Sequence, residues 1–184
     1  MSPKTAKFIL TGILGWKYDE GVVPEPKAVI LGVPHTSIWD FALGYLYYRA
    51  VGGHMRTMIK KEAFFWPLGG LLRKLGAFPM DRQHPQGPLA SLIEEMKSSE
   101  RFTLVICPEG TRKAVHKWKT GYHTIATAVG CPVYLGHFDY KSKTLGRGQA
   151  FPLTADARAD TDRIQAAYEQ MGLTALHPKG YTTK

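Results

Sequence analysis

The sequence predicts an α/β fold with a largely parallel central sheet flanked by helices, and two observations carry that prediction. Short β-branched apolar runs, "KAVILGVP" (Lys27 to Pro34) and "FTLVIC" (Phe102 to Cys107), have the composition of strands buried on both faces. They alternate with longer stretches of helical pattern, the order expected of strand–helix–strand units. We therefore expect a single domain over residues 1–184. The active site belongs at the C-terminal ends of the strands, where open α/β sheets gather their ligands.

Along the chain, the first strand is followed by "DFALGYLYYRAVGG", a helix stopped by Gly52 and Gly53. A strand follows near Arg56 to Ile59, then an apolar helical region broken around Pro67, then a short strand at Ala77 to Met80 from which Arg82 departs. A loop at Pro85 to Pro88 leads into a helix whose inner face is set by Leu89, Leu92, Ile93 and Met96, spaced i, i+3, i+4 and i+7. After "FTLVIC" comes the loop "PEGTRK", a helix "GYHTIATAVG" closed by Gly130, and "CPVYLGHFDY" as a strand. Ile164, Ala167, Tyr168 and Met171 mark the buried stripe of a last helix.

Lys and Arg number 24 against 15 Asp and Glu, a formal net charge of +9. Such an excess favours phosphate-bearing or anionic partners, and charge alone does not choose between nucleic acid, membrane and phosphorylated metabolites. The two cysteines, Cys107 and Cys131, give no disulfide framework and read as buried thiols in a reducing compartment. "FILTGILGW" (Phe8 to Trp16), preceded by Lys4 and Lys7, is too short to span a bilayer and lacks the cleavage pattern of a signal peptide. It either lies in a membrane surface or covers the protein's own core.

Three loops hold the candidate chemistry. In "VPHTSIWDF", His35 stands at a strand end and Asp40 follows five residues later in the first turn of a helix. A carboxylate there can fold back on the imidazole, fix its tautomer and raise its basicity, as general-base catalysis requires. The plain alternative is a polar histidine beside a helix N-terminal carboxylate. In "PEGTRK", Gly110 permits close backbone approach, Thr111 offers a hydroxyl and Arg112 a phosphate-binding guanidinium, the alternative being a surface turn. "GAFPMDR" adds Asp81 and Arg82, whose alternative is a surface ion pair of little worth. Lys60, Lys61, Arg73, Lys74, Lys113, Lys117 and Lys119 read mostly as a solvated face. The seven histidines, His116, His123 and His137 among them, show no metal-ligand spacing, so no metal is expected. The chain has no nucleophile elbow, P-loop or dinucleotide fingerprint, and no nucleic-acid motif.

Taken together and in order, "PHTSIWDF", "KKEAFFWPLGGLLRKLGAFPMDR", "CPEGTRK" and "WKTGYHTIATAVGCPV" resemble the glycerolipid, lysophosphatidate-type acyltransferase superfamily, particularly its compact bacterial members, over about Gly15 to Tyr140. The resemblance implies transfer of an acyl group from a thioester, acyl-CoA or acyl-carrier protein, to a hydroxyl of a lysophospholipid or glycerol-phosphate-like acceptor. It implies His35 as general base and Asp40 as its partner, with Arg82, Glu109, Gly110, Thr111 and Arg112 as the acceptor's phosphate and glycerol site. Lys119 and Gly121 match the lysine and glycine after the Glu-Gly-Thr-Arg block, and Pro132 the proline before the last strand. Between Arg112 and Lys119 the chain is shorter than in larger members and carries His116 and Trp118, a departure in the segment that would meet the acceptor.

The expectation is thus a cofactor-free O-acyltransferase of phospholipid biosynthesis, peripheral at the inner, cytoplasmic face of a membrane. The apolar tract from Phe64 to Leu72 and the N-terminal segment would draw acyl chains from the bilayer while basic residues meet anionic headgroups. Two other readings stand beside it: a thioester or phospholipid hydrolase in which His35 activates water, and a non-catalytic binder of anionic lipid.

Overall fold

The computed structural model describes residues 1–18, 21–81, 83–84 and 86–183. Eight strands and six α-helices are formed among them: α1 (Pro3–Lys7), β1 (Lys27–Leu31), α2 (Trp39–Ala50), β2 (Met55–Lys60), α3 (Leu68–Lys74), β3 (Ala77–Met80), α4 (Gln86–Ser98), β4 (Phe102–Ile106), α5 (Gly121–Val129), β5 (Val133–Tyr134), β6 (His137–Asp139), β7 (Thr144–Gly146), β8 (Ala150–Phe151) and α6 (Ala157–Met171). Six strands make one sheet in the order β3-β2-β4-β1-β5-β8, parallel throughout except for β8 on the edge.

Why β1 is central is legible in its side chains. Val29, Leu31 and Val33 point to one face, against Leu92 and Met96 of α4, Tyr122 and Ile125 of α5, and Ile164 and Tyr168 of α6. Ala28 and Ile30 point to the other, against Leu43, Tyr47 and Tyr48 of α2. A strand buried on both faces has no room for polar alternation, hence the continuous apolar run. Its neighbour β4 lies in parallel register, Leu31 opposite Ile106, so the two chains leave the sheet side by side. One then leads into α2 and the other into α5, and the two loops meet where His35 N–H donates to Glu109.

The N-terminal segment covers this core. Residues Phe8–Ile13 continue α1 as a π-helical turn, and Ala6, Leu10 and Trp16 are buried with the α2 residues. Burying Leu10 completely contributes about 2 kcal/mol. Phe8 and Ile13 on the same segment face outward, each 64 % exposed.

Several sequence expectations need correction. "CPVYLGHFDY" is two strands: β5 stays in the main sheet, whereas β6 pairs antiparallel with β7 in a separate ribbon. The break falls at Gly136, where a Cβ would stand 2.5 Å from Ile30 Cγ2 and 2.6 Å from the Leu31 carbonyl oxygen. Only glycine allows the backbone so close, and the chain bends off the sheet there. Helix α4 starts at Gln86, so Pro88 lies in its first turn, where the missing N–H costs nothing. Met171, placed on the buried stripe of α6, is exposed at the helix end beside the left-handed Gly172. Cys107 and Cys131 are free and only half-buried.

Candidate active site

The loop after β1 carries His35, and α2 starts at Trp39 with Ile38 as its cap. Ile38 has no side-chain acceptor, so Asp40 in the first turn does that work from inside the helix. Its Oδ2 accepts from Thr36 N and Ser37 N, both at 2.8 Å, and lies 3.1 Å from His35 Nδ1. Its Oδ1 accepts from the Tyr140 hydroxyl. A buried carboxylate survives only with such partners. The Asp40 side chain is 2 % exposed, against 23 % for His35, so the carboxylate is sealed while the imidazole keeps an edge toward solvent.

Because β4 runs beside β1, its loop meets the same imidazole. Glu109 Oε1 accepts from the His35 backbone N–H at 2.9 Å. Its second oxygen, Oε2, is buried with no hydrogen-bond partner among the described residues. Burial pushes the Glu109 carboxyl up to about 7, although the backbone N–H groups and the His35 charge favour its ionised form. For His35, burial disfavours the imidazolium, but Cys107, the hydrogen bond to Asp40 and the charge of Glu109 outweigh it, and its proton affinity is raised.

Gly110, at φ +66°, turns the loop, its N–H bonded to Cys107 O. A Cβ there would lie 3.3 Å from Lys119 Cγ, so the lysine stem packs on the turn, and Lys119 N donates to Pro108 O at 2.8 Å. Thr111 Oγ1 accepts from Lys113 N. Arg112 is exposed on the same loop, and its carbonyl abuts Gly180 of the C-terminal segment. His177 N in that segment donates to Thr36 Oγ1. Arg82 lies outside the described residues.

The structure thus brings His35, Asp40 and Glu109 together at the ends of β1 and β4, with Lys119 packed on Gly110 and with Thr111 and Arg112 following on the same loop. Asp81 instead pairs with Lys61 at 2.7 Å on the surface. The other lysines and arginines of the basic set are exposed, as a solvated face requires. Tyr140 and Cys107 are the residues that sequence reasoning passed over as site members. No local spacing points to either, since Tyr140 meets Asp40 across 100 residues of chain. Among the described residues no group of three histidine, cysteine, aspartate or glutamate side chains could hold a metal ion.

A mostly parallel α/β sheet with a sealed carboxylate behind a partly open imidazole at a strand end is an arrangement that can take up and return a proton. The sequence profile of the Acyltransferase family matches residues 17–134, well over half of the chain, and the protein belongs to that family. Its fold is similar to the crystal structure of the 1-acyl-sn-glycerophosphate (LPA) acyltransferase PlsC from Thermotoga maritima, at TM-score 0.59 and 14% identity, covering 95% of this chain and 80% of that one. No curated protein matches the sequence significantly.

Proposed function

We propose that this acyltransferase moves a fatty acyl group from an acyl thioester, coenzyme A or acyl-carrier protein, to a hydroxyl of a lysophospholipid or glycerol-phosphate-like acceptor. The observation that carries the reading is the His35–Asp40 pair with its sealed carboxylate and open imidazole. In the reaction, the acceptor oxygen bonds to the thioester carbonyl carbon as its proton passes to the ring nitrogen of His35 that does not face Asp40. The C–S bond then breaks, and the imidazolium returns the proton to the departing thiolate. Asp40 fixes the tautomer; Arg112 and Arg82 would hold the acceptor phosphate, converting its binding into orientation. Glu109, Gly110, Thr111 and Lys119 would line the rest of the acceptor site. The unpartnered Glu109 Oε2 suits a donor hydroxyl on the acceptor.

A membrane-surface location, at the cytoplasmic face, fits the distribution of exposed apolar side chains. Ile38 and Trp39 follow β1, and Phe65, Trp66 and Leu71 follow β2, so both groups stand beyond the C-terminal strand ends, the edge that carries His35. Trp66 is 92 % exposed, an apolar surface that water disfavours and a lipid interface accepts. Lys60, Lys61, Arg73 and Lys74 surround that tract. Among the described residues no helix is long and apolar enough to cross a membrane. In flotation with anionic liposomes, Trp66→Ser together with Leu71→Ser is expected to lower the bound fraction several-fold; unchanged flotation would remove this tract from the attachment surface.

Cys107 gives one specific ground for a second reading, a covalent acyl-cysteine route, since it interacts with the imidazole. Labelled acyl-CoA and acyl-carrier protein offered with a panel of lysophospholipids and glycerol phosphate test the function itself. Product from one donor and acceptor is expected, with Cys107→Ala retaining transfer. Release of free fatty acid without acceptor would favour the hydrolase, and lipid binding with no product the non-catalytic binder.

A further inference from the structure

Tyr140 lies outside the motifs that define the site, yet its hydroxyl donates to Oδ1 of Asp40, the oxygen turned away from His35. Its place is fixed from three sides. Asp139 closes the turn after β6 by accepting from Lys141 N, Ser142 N and Thr174 N, and Tyr140 N donates to Thr174 O. The Tyr140 and Trp16 rings meet edge to face, centroids 5.0 Å apart and planes at 88°. Trp16 in turn belongs to the N-terminal segment, which Lys17 stitches to the β6–β7 ribbon through Lys17 N to Lys143 O and Leu145 N to Lys17 O.

The groups that act directly on the dyad are otherwise acidic or neutral, the site's cations Arg112 and Lys119 being exposed on the β4–α5 loop. Asp40 comes from α2, Cys107 and Glu109 from the loop after β4, and Tyr168 and Tyr181 stand near Glu109. Among the described residues no lysine or arginine pairs with Asp40. Such surroundings hold a proton on His35, and a base that keeps its proton cannot accept another. A hydroxyl donated to the far oxygen of Asp40 draws carboxylate charge away from the imidazole.

Resting on the reading of His35 as the base, we propose that Tyr140 is a positioning residue that tempers Asp40 and so lowers the pH at which His35 gives up its proton, and that Trp16 holds Tyr140 in that role. The N-terminal segment, which presents Phe8 and Ile13 outward, thereby becomes part of what tunes the dyad.

Tyr140→Phe keeps the ring and its Trp16 contact while deleting the donor. Thr36 and Ser37 still hold Oδ2, so the expected effect is electronic. The acid limb of kcat/KM moves up by about one pH unit, which makes the variant about tenfold slower near neutrality, and activity recovers to within about twofold of wild type at high pH. Trp16→Ala should move the limb the same way and Trp16→Phe less. The His35 imidazole, assigned by its absence in His35→Ala, should titrate higher by NMR in Tyr140→Phe without any substrate present. That measurement stands even if the acyl-transfer reading fails. Activity lost equally at every pH, or an unmoved His35 midpoint, would overturn the tuning role; an unmoved midpoint in Trp16→Ala would overturn the part given to the N-terminal segment.

Discussion

Among the described residues two histidines pair with a buried aspartate, and the two pairs differ in their surroundings. His35 and Asp40 stand 3.1 Å apart at the end of β1, His123 and Asp160 3.2 Å apart between α5 and α6. By distance and by burial of the carboxylate the two are nearly alike. What separates them is what occupies the remaining polar atoms. His123 uses both ring nitrogens inside the fold, Nε2 toward Thr154 O and Asp160 and Nδ1 toward Thr127 Oγ1. Asp160 accepts from Thr154 and pairs with Arg163 at 2.7 Å. Burial opposes its charge, but those donors overcome the cost and hold its carboxyl below the usual range. That pair clamps the loop before α6 onto the helix. Among the described residues Asp40 pairs with no guanidinium, and its histidine keeps an open edge. A histidine–carboxylate pair is therefore no signature by itself; what sets His35 apart is its exposed edge at a strand end.

The largest expected contrast comes from truncating each histidine. His35→Ala should lower kcat by about 10²–10⁴-fold with little change in the thermal midpoint. His123→Ala should leave kcat within a few-fold and lower the midpoint by roughly 2–4 °C for each kcal/mol lost. Steady-state assays beside thermal melts separate them, and equal kinetic damage from both would erase the distinction.

Next in size are the pH slopes of stability set by two buried carboxylates with opposite surroundings. Asp160, depressed by Arg163, supports the fold above its unfolded pKa, and this support is lost as pH falls through the lower folded value. Asp160→Asn should therefore cost about 1–3 kcal/mol near neutrality and progressively less in acid. Glu109 is raised to about 7 and binds its proton more tightly in the folded state, so its contribution is present below about 4.5 and is lost as pH rises to about 7. Glu109→Gln should remove that slope, gaining on wild type by on the order of 3 kcal/mol across the window. Urea melts at several pH values would show the two variants diverging in opposite directions, and parallel curves would contradict the assignment.

A smaller, sharper effect is expected from Asp40→Asn. Asp40 raises the proton affinity of His35, so the wild-type acid limb should lie above the ordinary histidine value and move down in the variant, with kcat reduced on the plateau. An unmoved limb would mean that Asp40 only caps the α2 terminus.

Much of this was legible in the sequence, for identifiable reasons. The central strands β1 and β4 announce themselves because a strand covered on both faces is apolar without interruption, and α2 and α5 are stopped by Gly52 and Gly130, both at positive φ. The candidate residues were readable as types, but their convergence was not, since nothing local says that β4 inserts between β1 and β2. The ordered motifs supplied that through family resemblance. Tyr140 stayed hidden because its segment looks like one strand, and only the close approach at Gly136 shows why it bends toward Asp40. The N-terminal run was readable as apolar yet ambiguous, because one face, through Leu10 and Trp16, joins the core while Phe8 and Ile13 do not. The short strands β7 and β8 left no periodic trace, too brief for alternation to register.

The measurement that tests the central claim most directly is a rapid-quench single turnover of wild type with acyl donor, with and without acceptor, read by the mass of the intact protein and by product formed, alongside His35→Ala. Direct transfer with His35 as base requires product in the first turnover only when acceptor is present, no acyl mass on the protein, and a His35→Ala rate at least about a hundredfold lower. An acyl mass on Cys107 that forms and decays at the rate of turnover, or a His35→Ala rate near that of wild type, would contradict it.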